Sequence, residues 1–111
     1  MIIFKEADIL RFRNINIRNI MNEAINNEGI IVDVREVEEF AKGHIPMAIN
    51  LPLSDIKNGK VGLPKNKVIL VYCENGGGSM MAARILSDMG YNVLNAVGGL
   101  ANYRGALTRH R

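Results

Sequence analysis

Two stretches of the chain are apolar almost without interruption, Ile30 to Val34 and Val68 to Tyr72, with Asp33 the single polar break in the first. Runs of this kind, rich in β-branched residues and lacking alternation, predict strands covered on both faces, as in a parallel sheet. Around them apolar residues recur at helical spacing. Ile17, Ile20, Met21, Ala24 and Ile25 trace one face of a helix that Asn16 caps and that Asn27 and Gly29 end. Ala82, Ile85, Leu86 and Met89 fall at i, i+3, i+4 and i+7 of a second helix, with Gly90 placed to stop it. A shorter helix runs from Glu36 to Gly43: its acids sit at the positive end, Lys42 at the negative end, and Val37, Phe40 and Ala41 face inward. Weaker signals predict strands at Ala48 to Leu51 and Asn92 to Ala96, and a last short helix at Leu100 to Tyr103. Between residues 53 and 66 a brief helical turn gives way to a surface loop through Asn58-Gly59, Gly62 and Pro64. Ile2 to Phe4 reads as a further short strand, and Ile9, Leu10 and Phe12 as apolar contacts on the turn after it.

Strands alternating with helices place the chain in the α/β class, as a three-layer α/β/α arrangement around a central, mainly parallel sheet of roughly five strands. A length of 111 residues, 48% of them hydrophobic, fits one domain with one core spanning residues 1–111. Residues 105–111, which include Arg109 and Arg111, read as a solvated, flexible basic tail. A formal net charge of +3 is too small to argue for nucleic acid, and few aromatic residues are available to stack on bases. Charge enters the N-terminus at Lys5, so neither a secretory signal nor a membrane span is expected there. The single cysteine allows no internal disulfide and suits a reducing cytoplasm.

That cysteine is also where the chemistry gathers. Cys73 ends the Val68 strand and is followed by Glu74, Asn75, the glycines Gly76, Gly77 and Gly78, and Ser79 at the start of a helix. Glycines can turn their N–H groups toward a common centre, and a helix N-terminus adds positive potential; both favour a thiolate over a thiol. The carboxyl end of a buried strand is where open α/β sheets carry their ligands. Cys73 is therefore the candidate nucleophile. Asp33 in the other buried strand needs a partner; Arg35 either pairs with an acid such as Asp33 or Glu36 or attends the site. His44, in a tight turn between Gly43 and Ile45-Pro46, reads as a turn anchor rather than as a general base for Cys73. Met80 and Met81 either line the pocket or pack in the core.

Three ordered groups of residues resemble the signatures of the rhodanese, or sulfurtransferase, homology domain, over Asn16 to about Arg104. The first is Asp33-Val34-Arg35-Glu36 with Glu39-Phe40, Gly43-His44-Ile45-Pro46 and Ala48-Ile49-Asn50. The second is Tyr72-Cys73 with its small-residue loop and Ser79, and the third is Gly98-Gly99 followed by Tyr103. The resemblance implies a sulfurtransferase that carries sulfane sulfur as a persulfide on Cys73, taken from a small-molecule or protein donor and handed to a thiol or other thiophilic acceptor. It implies that backbone N–H groups of Glu74 through Ser79 cradle the persulfide, with no metal and no organic cofactor.

This loop departs from the pattern in lacking the basic residues common in the family, notably at Gly78, and in placing Glu74 beside the nucleophile. Poor use of thiosulfate, and preference for a persulfide donor, are the expectation. Two alternatives stand beside it. A binding or sulfur-sensing module of the same fold is one. The other, a cysteine phosphatase or arsenate reductase, needs a guanidinium at the position of Ser79 to grip a phosphoryl group.

Overall fold

A computed structural model describes residues 12–109. The strand expected at Ile2 to Phe4 and the contacts expected of Ile9 and Leu10 lie outside them. The described elements are β1 (Phe12–Asn16), α1 (Ile20–Asn27), β2 (Ile30–Asp33), α2 (Val37–Lys42), β3 (Ile49–Asn50), α3 (Leu53–Lys57), β4 (Val68–Tyr72), α4 (Gly77–Asp88) and β5 (Asn92–Val97). Single 3-10 turns at Ile17–Asn19 and Leu100–Asn102 complete the path. The five strands form one sheet in the order β1-β5-β4-β2-β3, every pair parallel.

The uninterrupted apolar runs are the inner strands, as two-sided burial requires. Along β4, Leu70 and Tyr72 face one layer and Ile69 and Val71 the other, and all four are completely buried. On the first face they meet Ile17, Ile20 and Ala24 from the turn before α1 and from α1 itself, with Phe40 of α2. On the second they meet Ile56 of α3 and Ala82, Ala83 and Leu86 of α4. Covering a Leu or Ile side chain in this way contributes about 1.5–3 kcal/mol each. The result is the three-layer α/β/α arrangement.

β1 differs from the sequence expectation, which put no strand at residues 12 to 16. Phe12–Asn16 is an edge strand in which only Phe12 and Ile15 are half-buried, so its sequence carries little apolar signal; what holds it is backbone pairing to β5, from Phe12 opposite Val93 to Asn16 opposite Val97. Asn16 keeps its capping role, its side chain accepting from Arg18 N–H at 2.9 Å, but the turn it opens is 3-10 and the α-helix begins at Ile20. At the other end, residues 105 to 109 are exposed. Thr108 and His44 nevertheless exchange both backbone hydrogen bonds at 2.8 Å, which tethers this segment to the turn after α2.

Strand order reverses between β2 and β4. From β2 the chain moves outward to β3, and from β4 it moves the opposite way to β5. Their carboxyl ends, in register at Asp33 and Tyr72, open a crevice between diverging connections.

Candidate active site

Cys73 follows β4 directly at that crevice, on the α3 and α4 face, and is 7% exposed. Its Sγ accepts the N–H of Gly76 at 2.9 Å. Gly76 has φ 114°, in the left-handed region that glycine enters without strain, and from there the chain turns into α4. The helix therefore starts at Gly77, two residues earlier than Ser79, because the glycines themselves adopt helical geometry. Its first i→i−4 bond runs from Met80 N–H to Gly76 C=O at 3.2 Å, so the amides of Gly77, Gly78 and Ser79 precede the helical ladder, at the positive end of the dipole. A Cβ built on Gly78 would sit 3.9 Å from Sγ and 4.0 Å from Leu53, so the absent side chain keeps the thiol's approach open.

The third signature braces this loop from behind. Leu100 N–H donates to the carbonyl of Cys73 at 2.8 Å, and Ala101 N–H to that of Glu74 at 3.1 Å. These two bonds anchor the start of the loop, three residues before the Gly76 amide that meets Sγ. Gly99 makes the approach possible: at φ 66° and ψ −179° it occupies a region nearly confined to glycine, and a Cβ there would overlap the Glu74 carbonyl.

Opposite the loop stands a buried charge network. Asp33 is completely buried. Arg35 Nε bonds both of its carboxylate oxygens at 3.1 and 3.2 Å, and Nη2 bonds Oδ2 at 2.8 Å and the Gly43 carbonyl at 2.7 Å. Nη1 reaches Glu74 Oε1 at 3.2 Å. Burial works against the guanidinium charge, but hydrogen bonding to Asp33 and its charge, with help from Tyr72 and Glu74, leave Arg35 raised above its ordinary value. Burial and then the hydrogen bond to Asp33 push the Tyr72 phenol far above the usual tyrosine range, while its oxygen accepts Ile45 N–H at 3.0 Å. Asn50 ties the turn by donating to the carbonyls of Asp33 at 3.1 Å and Arg35 at 2.9 Å.

Around Cys73 these parts enclose a cleft of about 610 Å³. Arg35, Glu74, Asn75, Gly77 and Gly78 line it, with Glu36, Glu39 and Leu53, which the sequence reading does not place at the site. Gly76 contributes its amide to the sulfur rather than a wall. Ser79 is completely buried and its hydroxyl donates to the Gly76 carbonyl at 3.2 Å, closing the loop on itself. His44 stacks on Phe40, ring centroids 3.7 Å apart, and its Nδ1 donates to the Phe40 carbonyl at 2.9 Å. Phe40 packs in the layer on the other face of the sheet from Cys73, so His44 anchors the turn. Met80 and Met81 are 36% and 46% exposed on α4, outside both the cleft and the core.

The parallel α/β sheet thus carries a cysteine at its switch point, and the sulfur accepts a backbone N–H at the mouth of a helix. The rhodanese-like domain model matches residues 18–106, and the chain belongs to that family. It is 38% identical over 89 residues to a tRNA sulfurtransferase of Desulfurococcus amylolyticus, covering 80% of this chain but 18% of that protein. It is 41% identical over 71 residues to the thiosulfate sulfurtransferase PspE of Escherichia coli, covering 62% of this chain and 68% of that one. Among solved structures, a rhodanese-related protein from Thermoplasma volcanium superposes with a TM-score of 0.73 at 30% identity, covering 86% of this chain and 97% of the other.

Proposed function

We propose that the protein transfers sulfane sulfur through a persulfide on Cys73. The supporting observation is the 2.9 Å bond from Gly76 N–H to Sγ at the floor of an open cleft, with the first-turn amides of α4 following at once. The Cys73 thiolate attacks the outer sulfur of a donor R–S–SH; the donor's S–S bond breaks, R–S⁻ leaves with the electron pair, and Cys73 holds the sulfur as –S–SH. A thiolate acceptor then attacks that outer sulfur and restores Cys73 as a thiolate. Developing negative charge on either sulfur meets amides already in place, so little reorganisation is required. A lone thiol doing this work fits the reducing cytoplasm, where it stays unpaired.

Glu74, Glu36 and Glu39 give the cleft an acidic rim, and the loop carries no basic residue. Thiosulfate, a dianion, is a poor donor for such a site, and a low-molecular-weight or protein persulfide is a better one. Incubation with cysteine persulfide, glutathione persulfide and thiosulfate, read by intact mass, tests this. One added sulfur on the wild type, absent in Cys73→Ser, is the expected result. No adduct with any donor removes the transfer reading and leaves a binding module, while efficient thiosulfate turnover removes the substrate preference alone.

A further inference from the structure

We infer that Glu74 determines donor specificity by acting as a tethered carboxylate: it holds Nη1 of Arg35, the one cationic side chain among the described residues lining the cleft, and so denies that group to a small dianionic donor. The inference rests on the sulfur-transfer reading and deepens it.

The five N–H donors of a guanidinium form a rigid fork, and the four whose bonds are described here serve two different sides. Nε and both N–H positions of Nη2 serve the buried side, bonding Asp33 and the Gly43 carbonyl at 2.7 to 3.2 Å. These contacts hold the β2 to α2 turn and cannot be released without stranding the completely buried Asp33 carboxylate. Nη1 is the nitrogen whose bond crosses to the nucleophile's own loop, and at 3.2 Å its partner is Glu74 Oε1. The Glu74 side chain is half exposed, so water competes for it, but the backbone it stands on is anchored. Its carbonyl accepts Ala101 N–H at 3.1 Å, Gly99 leaves no room behind it for a Cβ, and its carboxylate meets Arg35 across the crevice.

A donor carrying a sulfonate end has to displace Glu74 from Nη1 or approach against its charge. Both oppose the step in which the Cys73 thiolate attacks the outer sulfur of thiosulfate and sulfite leaves with the bonding pair. Persulfides of amino-acid or peptide type, singly charged or zwitterionic, present no second negative charge at that place. Glu36 and Glu39 on the same rim act in the same direction, and Glu39 is partly neutralised by Lys42 at 3.3 Å.

The test separates binding from turnover. In a Cys73→Ser background, which accepts no sulfur, calorimetric titration with sodium thiosulfate is compared for Glu74, Glu74→Gln and Glu74→Ala. The alanine variant is expected to bind about tenfold more tightly, the scale of one charge-assisted hydrogen bond recovered. Glutamine, whose amide oxygen still accepts from Nη1, is expected to gain only about threefold, and both gains shrink at high salt. In the Cys73 protein the same substitutions raise kcat/KM for thiosulfate relative to cysteine persulfide, chiefly through KM. Equal binding in all three proteins overturns the inference, and equal gains for glutamine and alanine overturn the part that runs through Arg35. Absence of a persulfide adduct on wild-type Cys73, with the binding differences intact, overturns the transfer reading instead.

Discussion

Gly99→Ala puts the brace behind the active-site loop under direct strain. At φ 66° and ψ −179° an alanine occupies a region that costs about 1–3 kcal/mol, and its Cβ overlaps the Glu74 carbonyl while lying 2.7 Å from Asn75 N. Relief requires moving residues 98–101 away from the loop, which breaks the bonds from Leu100 to Cys73 and from Ala101 to Glu74, at about 1 kcal/mol each. The sum is about 3–5 kcal/mol, or a fall in Tm of roughly 12–20 °C at this chain length. Because the Cys73 and Glu74 carbonyls then lose their anchors, the rate of sulfur uptake is expected to fall by about a hundredfold, as for a small misplacement of a reacting group. Gly62→Ala is the matched control: it has φ 63° with nothing within 4 Å, so it carries the conformational cost of about 1 kcal/mol without the collision. Thermal unfolding by circular dichroism and uptake by intact mass, measured on both variants, decide the matter. If Gly99→Ala is no less stable than Gly62→Ala and loads sulfur at the wild-type rate, the brace is not what shapes the loop.

Arg35→Met strands the buried Asp33 carboxylate and is expected to lower stability by about 3–5 kcal/mol in urea unfolding, with Asp33→Asn added to it restoring most of the loss; a single-variant cost under about 1 kcal/mol would contradict this. Gly78→Lys places an ammonium over Sγ and is expected to raise kcat/KM with thiosulfate by about tenfold at low salt, the gain fading as salt is added. Tyr72 gives a pH signature. Its phenol pKa is raised on folding, so the stabilisation it represents is complete below about pH 10, where the unfolded phenol ionises, and is lost as pH rises beyond, at about 1.4 kcal/mol per unit. Chemical unfolding between pH 9 and 11, as approximate limits, should show this slope in the wild type and a shallower one in Tyr72→Phe, where burial still raises Tyr103.

What could be read from the chain divides along a physical line. Burial on two faces leaves a mark in composition, so β2 and β4 were legible, and with them the position of Cys73 and the need of Asp33 for a partner. The helix of Ala82, Ile85 and Leu86 was legible for the same reason, although not its start, because glycine carries no preference that separates loop from first turn. β1 left almost no mark, since backbone pairing to β5 uses the same groups whatever the side chains are. The sequence places Glu74 as an acid next to Cys73, but its direction depends on a guanidinium 39 residues away and on amides from residues 100 and 101, none of which a local pattern contains. The tether of Thr108 to His44 is likewise pure main chain, and its polar, exposed surroundings read as a loose tail. Met80 and Met81 mislead in the opposite sense: apolar residues near a nucleophile invite a role in its pocket, yet they stand at the helix surface.

The double seam from Leu100 and Ala101 to the first two residues of the loop has one more consequence. It ties the near rim of the sulfur's seat to the turn after β5, so widening the aperture from that side breaks main-chain bonds, while on the other side Gly78 faces Leu53 across open space. Bore is thus set by main-chain stitching while polarity is left to the side chains that project from it, so substitution alters what charge the seat admits far more readily than its girth.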